Sequence, residues 1–391
     1  MKVGILTLYG ENYGCVLQTI AVMKTYEDLG LDAYLIPDKT CNGIKVTHFK
    51  QGTLSKLSPA YIAAVIRVRT KRKYNLKNQR DKLIPEVIRY KSNSLKYKKA
   101  KALRSSAFKE FYKNNIPQTD FSISLSNIPQ EQLSDFDFFS VGSDQVWNPT
   151  YPETSELRFL TFARKEQKLT FAPSFGISEL PDFTKEPYAK WLREFPDLSV
   201  REERGAEIIK ELTGKEATVI CDPTLVIARE CWESMEKKPS FDTSKPYALT
   251  YFLGNESNKY RRYIDKIAKE KNLEVINLFD IREPEYYCAD PFEFIYLVNH
   301  ADAVFTDSFH AAVFSIIFHK DFVVFERIED GRSMSSRLDT LLSTYSLSDR
   351  RYSAIKNSEF SSANFEKTDA VIECQRQKAL DFLKKAINQN S

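Results

Sequence analysis

Residues that could do chemistry cluster at a few short turns. Thr306-Asp307-Ser308-Phe309-His310 follows the apolar run AVF and precedes AAVFSIIF. The pattern predicts a strand, a tight turn and a helix, with Asp307 or Ser308 as N-cap and His310 in the first turn. Free N–H groups and the positive end of a helix favour an anion there. They disfavour an imidazolium until an anion arrives. His310 could therefore give a proton under the control of a negatively charged substrate. A histidine that only packs or caps at a helix start fits the same residues. The other three, His48, His300 and His319, fall in a loop or near helix ends and are read as structural.

Ser143-Asp144-Gln145 follows the apolar run FDFFSVG. Asp144 could orient a hydroxyl or accept its proton, or hold the turn through local hydrogen bonds. Trp147 and Asn148 could form a platform for a sugar ring, or Trp147 could anchor the loop. Arg201, between LSV and a predicted helix, could grip a carboxylate or phosphate with two parallel bonds. An ion pair with Glu202 or Glu203 is the plainer reading. Arg337, in Ser-Ser-Arg-Leu, stands at a similar helix start. The turn Gly10-Glu11-Asn12-Tyr13-Gly14 allows close backbone approach to a ligand, yet a tight turn explains it too. Asn12, Tyr13, Gln145, Trp147 and Asn148 are the candidate contacts for a bound sugar. No G-x-S-x-G, H-E-x-x-H or calcium-loop pattern is present, and no metal ligand set is expected.

These turns need strands before them and helices after them. KVGILTLY (2–9), the helix CVLQTIAVMKTYEDLG closed by Gly30, and DAYLIP (32–37) make one βαβ unit and imply a parallel sheet. FDFFSVGSDQVWNP (136–149), QKLTFAPSFG (167–176), LSVREERGAEIIKELTG (198–214) and ATVICDPTLVI (217–227) continue it. A polar stretch at about 228–245 is read as a boundary. Beyond it YALTYFLG, LEVINLF, AVFTDS and DFVVFER alternate with predicted helices. The expected fold is α/β, with two Rossmann-like doubly wound domains at 1–228 and 245–365 facing a cleft. A basic helical insert at about 55–115 interrupts the first, and a helix at 366–391 ends the chain. In such sheets ligands bind beyond the carboxyl ends of strands.

Composition narrows the classes. The 391 residues include 27 Phe, 20 Tyr and 3 Trp, too aromatic for a disordered chain. No apolar run approaches a membrane span, and no signal-peptide core follows Met1. Six cysteines show no C-x-x-C spacing, which suits a reducing cytoplasm. The formal net charge of +4 hides an asymmetry: between Arg67 and Lys113, 17 Lys and Arg stand against 3 Asp and Glu. That stretch reads as basic helices facing an anionic lipid surface or lipid-linked diphosphate, or as a solvated insertion. Nucleic acid is not expected, since no zinc-finger spacing, RNP strand or basic zipper occurs.

Taken in order, several stretches resemble the polysaccharide pyruvyl transferase family. They are ENYGCVLQTIAV (11–22), FDFFSVGSDQVWNP, FAPSFG (171–176), SVREERG (199–205), CDPTLV (221–226), PFEFIYLVNHADAVFTDSFHAAVFSIIF (291–318) and SSRLDTLL (335–342). The resemblance implies a two-domain architecture like GT-B glycosyltransferases. It also implies an enzyme that transfers pyruvyl from phosphoenolpyruvate to two hydroxyls of a sugar, as a ketal, with no further cofactor. It implies His310 as general acid and Arg201 as a donor-anion ligand. Better-studied members carry an Arg two residues before that His, where this chain has Ser308; Arg337 or Arg204 could supply the cation instead. Asp144 would deprotonate the attacking hydroxyl. The expected partners are phosphoenolpyruvate, a sugar or lipid-linked oligosaccharide, and an anionic membrane surface at the inner face. A nucleotide-sugar glycosyltransferase, or a non-catalytic carbohydrate-binding relative, would share the same alternation of elements.

Overall fold

The computed structural model describes residues 1–40, 94–151, 154–254, 256–329, 332–333, 336–356 and 360–390. Much of the predicted basic insert, from 55 to 93, lies outside the described residues, as does His48.

The first sheet is built on β1 (Lys2–Leu6), whose residues after Lys2 are all buried. Helix α1 (Tyr13–Asp28) returns the chain to β2 (Asp32–Leu35), which pairs parallel to β1. Helix α2 (Ser94–Asn115) then leads toward β3 (Phe138–Val141) and β4 (Lys168–Thr170). The order is β2-β1-β3-β4, all parallel. Helix α3 (Asp182–Arg193) carries Pro187 within it, so the residue pattern did not announce it. The short strands β5 (Ser199–Val200) and β6 (Thr218–Val219) flank α4 (Glu203–Thr213), which Gly214 ends as expected. The predicted strand 217–227 is shorter than expected, because Asp222 caps a one-turn helix, α5 (Pro223–Val226), with Pro223 in its first turn.

The second sheet has the order β10-β9-β7-β8, again all parallel. Its strands are β7 (Tyr247–Tyr251), β8 (Glu274–Asn277), β9 (Ala303–Thr306) and β10 (Phe322–Val324). The longer helices are α6 (Asn258–Glu270), α7 (Pro291–Asn299), α8 (Phe309–Ile317) and α9 (Ser336–Thr344). The architecture is thus α/β with two Rossmann-like sheets, as expected. Helix α10 (Thr368–Asn390) crosses back to the first half. There the Arg376 Nε–H donates to the Val226 carbonyl at 2.8 Å.

Strand order reverses between β1 and β3 in one sheet and between β7 and β9 in the other. Turns after strands at such points diverge and leave room for a ligand. The turns concerned are the ones that carry Asn12–Gly14, Gly142–Asp144, Leu253–Gly254 and Asp307–His310.

An apolar junction joins the halves. Tyr13, Phe108, Tyr251 and Phe294 belong to one continuous buried cluster. Tyr13 stacks on Phe294 at 4.6 Å, and its hydroxyl donates to the Ala289 carbonyl at 2.8 Å. Arg104 of α2 is buried beside it, donating to the Glu11 and Tyr287 carbonyls and the Tyr13 hydroxyl.

Candidate functional site

Local geometry explains how each turn presents its side chain. Ser308 is the N-cap of α8 and accepts from Ala311 N–H at 3.5 Å, leaving His310 in the first turn. Both Asp307 carboxylate oxygens accept backbone N–H groups, from Leu253 at 2.7 Å and Gly254 at 2.8 Å. Asp307 therefore ties the turn after β7 to the turn after β9. In the first half, Gly142 has φ +115°, and a β-carbon there would meet the Phe171 carbonyl oxygen at 2.4 Å. Only glycine suits that position. Asp144 follows with φ 64°, a left-handed conformation that aspartate tolerates better than most residues.

The two halves bring five charged or titratable groups together. Arg201 donates to Asp222 Oδ2 at 2.6 Å and to Asp144 Oδ1 at 3.0 Å. Arg337 of α9 lies 3.8 Å from Asp144 Oδ1. His310 Nε2 stands 3.5 Å from Asp222 Oδ2, within ion-pair distance but without a formed hydrogen bond. All five side chains are buried; His310 is 5% exposed. Asp222 is further held through Oδ1 by the backbone and hydroxyl of Thr224, and through Oδ2 by the Ser143 hydroxyl. The Cys15 thiol lies 3.8 Å from Asp144 Oδ2.

Electrostatics follow from this crowding. Burial alone would raise the Asp222 carboxyl, but His310 and Arg201 outweigh it and hold it far below the usual carboxylate range. Asp144 is also lowered: burial opposes, and Arg201, His310 and Arg337 prevail. Arg201 is raised; burial disfavours its charge, and Asp222 and Asp144 more than restore it. Arg337 is pushed down to about 10, first by burial and then by the neighbouring Arg201 cation. It is the less neutralised of the two guanidinium groups. An arrangement of this kind can bind an anion and stabilise charge that develops on a reacting group.

The structure unites His310, Asp144, Arg201 and Arg337 and separates other candidates from them. Arg204 points outward to Glu207, Glu211 and the Ser178 carbonyl, so it does not join the cluster. Ser308 is engaged in capping. Trp147 is fully buried, stacked on Phe159 with its N–H on the Arg158 carbonyl. It anchors the loop and offers no face to a sugar. Gln145 and Asn148 bond to each other at 2.9 Å and hold the same loop. Tyr13 is spent on the junction. Asn12, half-buried, caps α1 by accepting from Gly14 N–H at 2.8 Å. Sequence reasoning did not single out Asp222. Its signal was an N-cap aspartate before proline, which says nothing about a partner on the other sheet.

Among the described residues, no cluster of three or more His, Cys, Asp or Glu side chains could hold a metal ion. No described helix is long and apolar enough to cross a membrane.

Comparison with known protein families gives a match that spans most of the chain. The family described as polysaccharide pyruvyl transferase matches residues 12–328. No curated protein matches the chain. Among solved structures, the UDP-GlcNAc 2-epimerase from Neisseria meningitidis bound to UDP-GlcNAc is similar at 10% identity and a TM-score of 0.41, over 96% of this chain and 100% of that one. The enzyme of that name from Methanocaldococcus jannaschii, in complex with UDP-GlcNAc and UDP, gives 11% and 0.40, over 96% and 99%. A spinosyn rhamnosyltransferase gives 10% and 0.38, over 98% and 96%. Likeness this remote says nothing about chemistry.

Proposed function

Since the chain belongs to the polysaccharide pyruvyl transferase family, we propose that it moves the pyruvyl group of phosphoenolpyruvate onto two hydroxyls of one sugar, forming a ketal and releasing phosphate. The acceptor is a polysaccharide or its lipid-linked precursor. One observation carries this reading: His310, two guanidinium groups and two carboxylates converge where the carboxyl ends of both sheets meet.

The chemistry asks for such a group of side chains. The enol carbon of phosphoenolpyruvate becomes electrophilic when its methylene takes a proton. His310, whose Nε2 faces Asp222, supplies that proton. A sugar hydroxyl attacks the carbon and gives its proton back to the imidazole, forming a tetrahedral phospho-ketal. A second hydroxyl displaces phosphate, which leaves with that hydroxyl's proton, and the ring closes. Arg201 and Arg337 neutralise the donor carboxylate and the departing phosphate. Asp144, held ionised by its cations, is a weak base. It acts first by accepting a hydrogen bond from the attacking hydroxyl and fixing its direction.

Helix α2 supports the proposed acceptor. Lys98, Lys99, Lys101, Lys109 and Lys113 are exposed along it, as is Leu103. Such a surface suits anionic lipid head groups and would keep the enzyme at the cytoplasmic face of a membrane that carries a lipid-linked sugar.

The deciding experiment is phosphate release from phosphoenolpyruvate with a panel of glycosides. Release that requires both substrates, with a ketal in the product, supports the reading. Silence with phosphoenolpyruvate and release of nucleoside diphosphate from a nucleotide sugar would replace it with glycosyl transfer.

A further inference from the structure

Phe309 lies at the centre of the charged group. The guanidinium carbon of Arg201 stands 4.3 Å from the Phe309 ring centre, and that of Arg337 stands 5.7 Å away. The His310 ring meets the same phenyl edge-on, with centres 5.3 Å apart and planes at 85°. Three groups able to carry positive charge thus share one aromatic ring that is itself buried. Two guanidinium groups brought this close repel each other. The negative face of an aromatic ring offsets part of such repulsion, and does so most strongly away from water. An aliphatic side chain of similar bulk does not.

The acids nearby do not use every guanidinium donor. Asp222 is already engaged with Arg201, Thr224 and Ser143. Asp144 is shared between Arg201 and the more distant Arg337. The Nε atoms of both arginines are buried without a hydrogen-bond partner. The phenyl ring sits between the needs of these cations and the helix start that carries His310.

We infer that Phe309 is a positioning residue whose ring sets the Arg201 and Arg337 guanidinium groups side by side as one clamp, selecting a donor with two separate anionic groups over one with a single group. The inference rests on the pyruvyl-transfer reading and deepens it, but its test needs no turnover.

Titration calorimetry on the full chain compares 2-phosphoglycolate, which carries a carboxylate and a phosphate, with inorganic phosphate. The unaltered protein is expected to prefer phosphoglycolate by about a hundredfold. Phe309→Leu is expected to cut that preference about tenfold, and Arg337→Gln to abolish it. Phe309→Tyr keeps the ring and keeps the preference. A packing role alone would weaken both anions alike and leave their ratio unchanged. That result overturns the inference, as does an unaltered protein with no preference. If the Leu variant loses its melting transition, the Arg337→Gln and Phe309→Tyr ratios decide. Phosphate release from phosphoenolpyruvate is scored separately. Ratios that shift as stated without any release keep the clamp and remove the pyruvyl-transfer reading. Normal release with an unshifted Leu ratio does the reverse.

Discussion

Gly14 and His310 touch across the junction of the two halves: a β-carbon on Gly14 would lie 2.1 Å from His310 Nδ1. The first turn of α1 and the first turn of α8 therefore fit together only because one carries no side chain there. With Asp222 facing Nε2, the imidazole is gripped by the first half while its backbone belongs to the second.

Gly14→Ala tests that contact. Alanine favours a helix over glycine by roughly 1 kcal/mol, so α1 itself gains. The added methyl must nevertheless move the imidazole or part the halves. A displacement near 1 Å at a reacting group can cost about a hundredfold in rate. Phosphate-release kinetics should fall by about that factor, with the melting temperature checked in parallel. An unchanged rate would mean that the ring position does not matter.

His310→Ala should reduce phosphoenolpyruvate-dependent phosphate release by about a hundredfold to ten-thousandfold, the usual weight of a positioned acid. The protein should still melt cooperatively. Full activity in this variant would take His310 out of the mechanism.

Asp222 predicts an acid-side weakness. Its carboxyl is depressed in the folded chain relative to an ordinary aspartate. The unfolded chain therefore binds the proton more readily. The stability from this ionised group is complete above the unfolded value, about 3.9, and is lost as pH falls from there toward the depressed folded value. Asp222→Asn should remove that pH dependence and cost about 3–5 kcal/mol near neutrality, since it leaves Arg201 buried with less negative charge. Melting curves between neutral and acid pH for both proteins would show it. Parallel pH dependences would refute the assignment.

Trp147→Ala should act on stability. A buried indole cut to alanine costs about 3–5 kcal/mol, measurable by urea unfolding. Trp147→Phe should lose less and keep the acceptor KM of the parent. A selective rise in that KM would restore the sugar-platform reading that the burial of Trp147 disfavours.

Neutralising Lys98, Lys99 and Lys101 to Gln should weaken binding to vesicles of anionic lipid, by about 1 kcal/mol for each lysine near the surface. The loss should shrink as salt screens the attraction. Release of phosphate with a soluble glycoside should not change. Unaltered vesicle binding would leave α2 as a solvated helix.

Much of the frame was legible because local rules govern it. The β-α alternation, the Gly30 and Gly214 stops and the place of His310 at a helix start follow from period and turn residues. What escaped depends on how the halves meet. Asp222 and His310 are far apart in the chain, and no spacing announces their contact. Phe309 looks like any core residue of an apolar helix. Trp147 misled for the opposite reason: a tryptophan in a polar, proline-containing loop gives no period by which to judge burial, and the surrounding aromatic rings that enclose it come from distant segments.

Helix α10 crosses from the second half and packs against the first, where Arg376 meets the Val226 carbonyl and the Cys221 thiol meets the Gln375 carbonyl. The chain passes between the halves before β7 and again before α10. With the buried junction around Tyr13 as a third fastening, the imidazole sits where the halves are pinned to one another at three separate places.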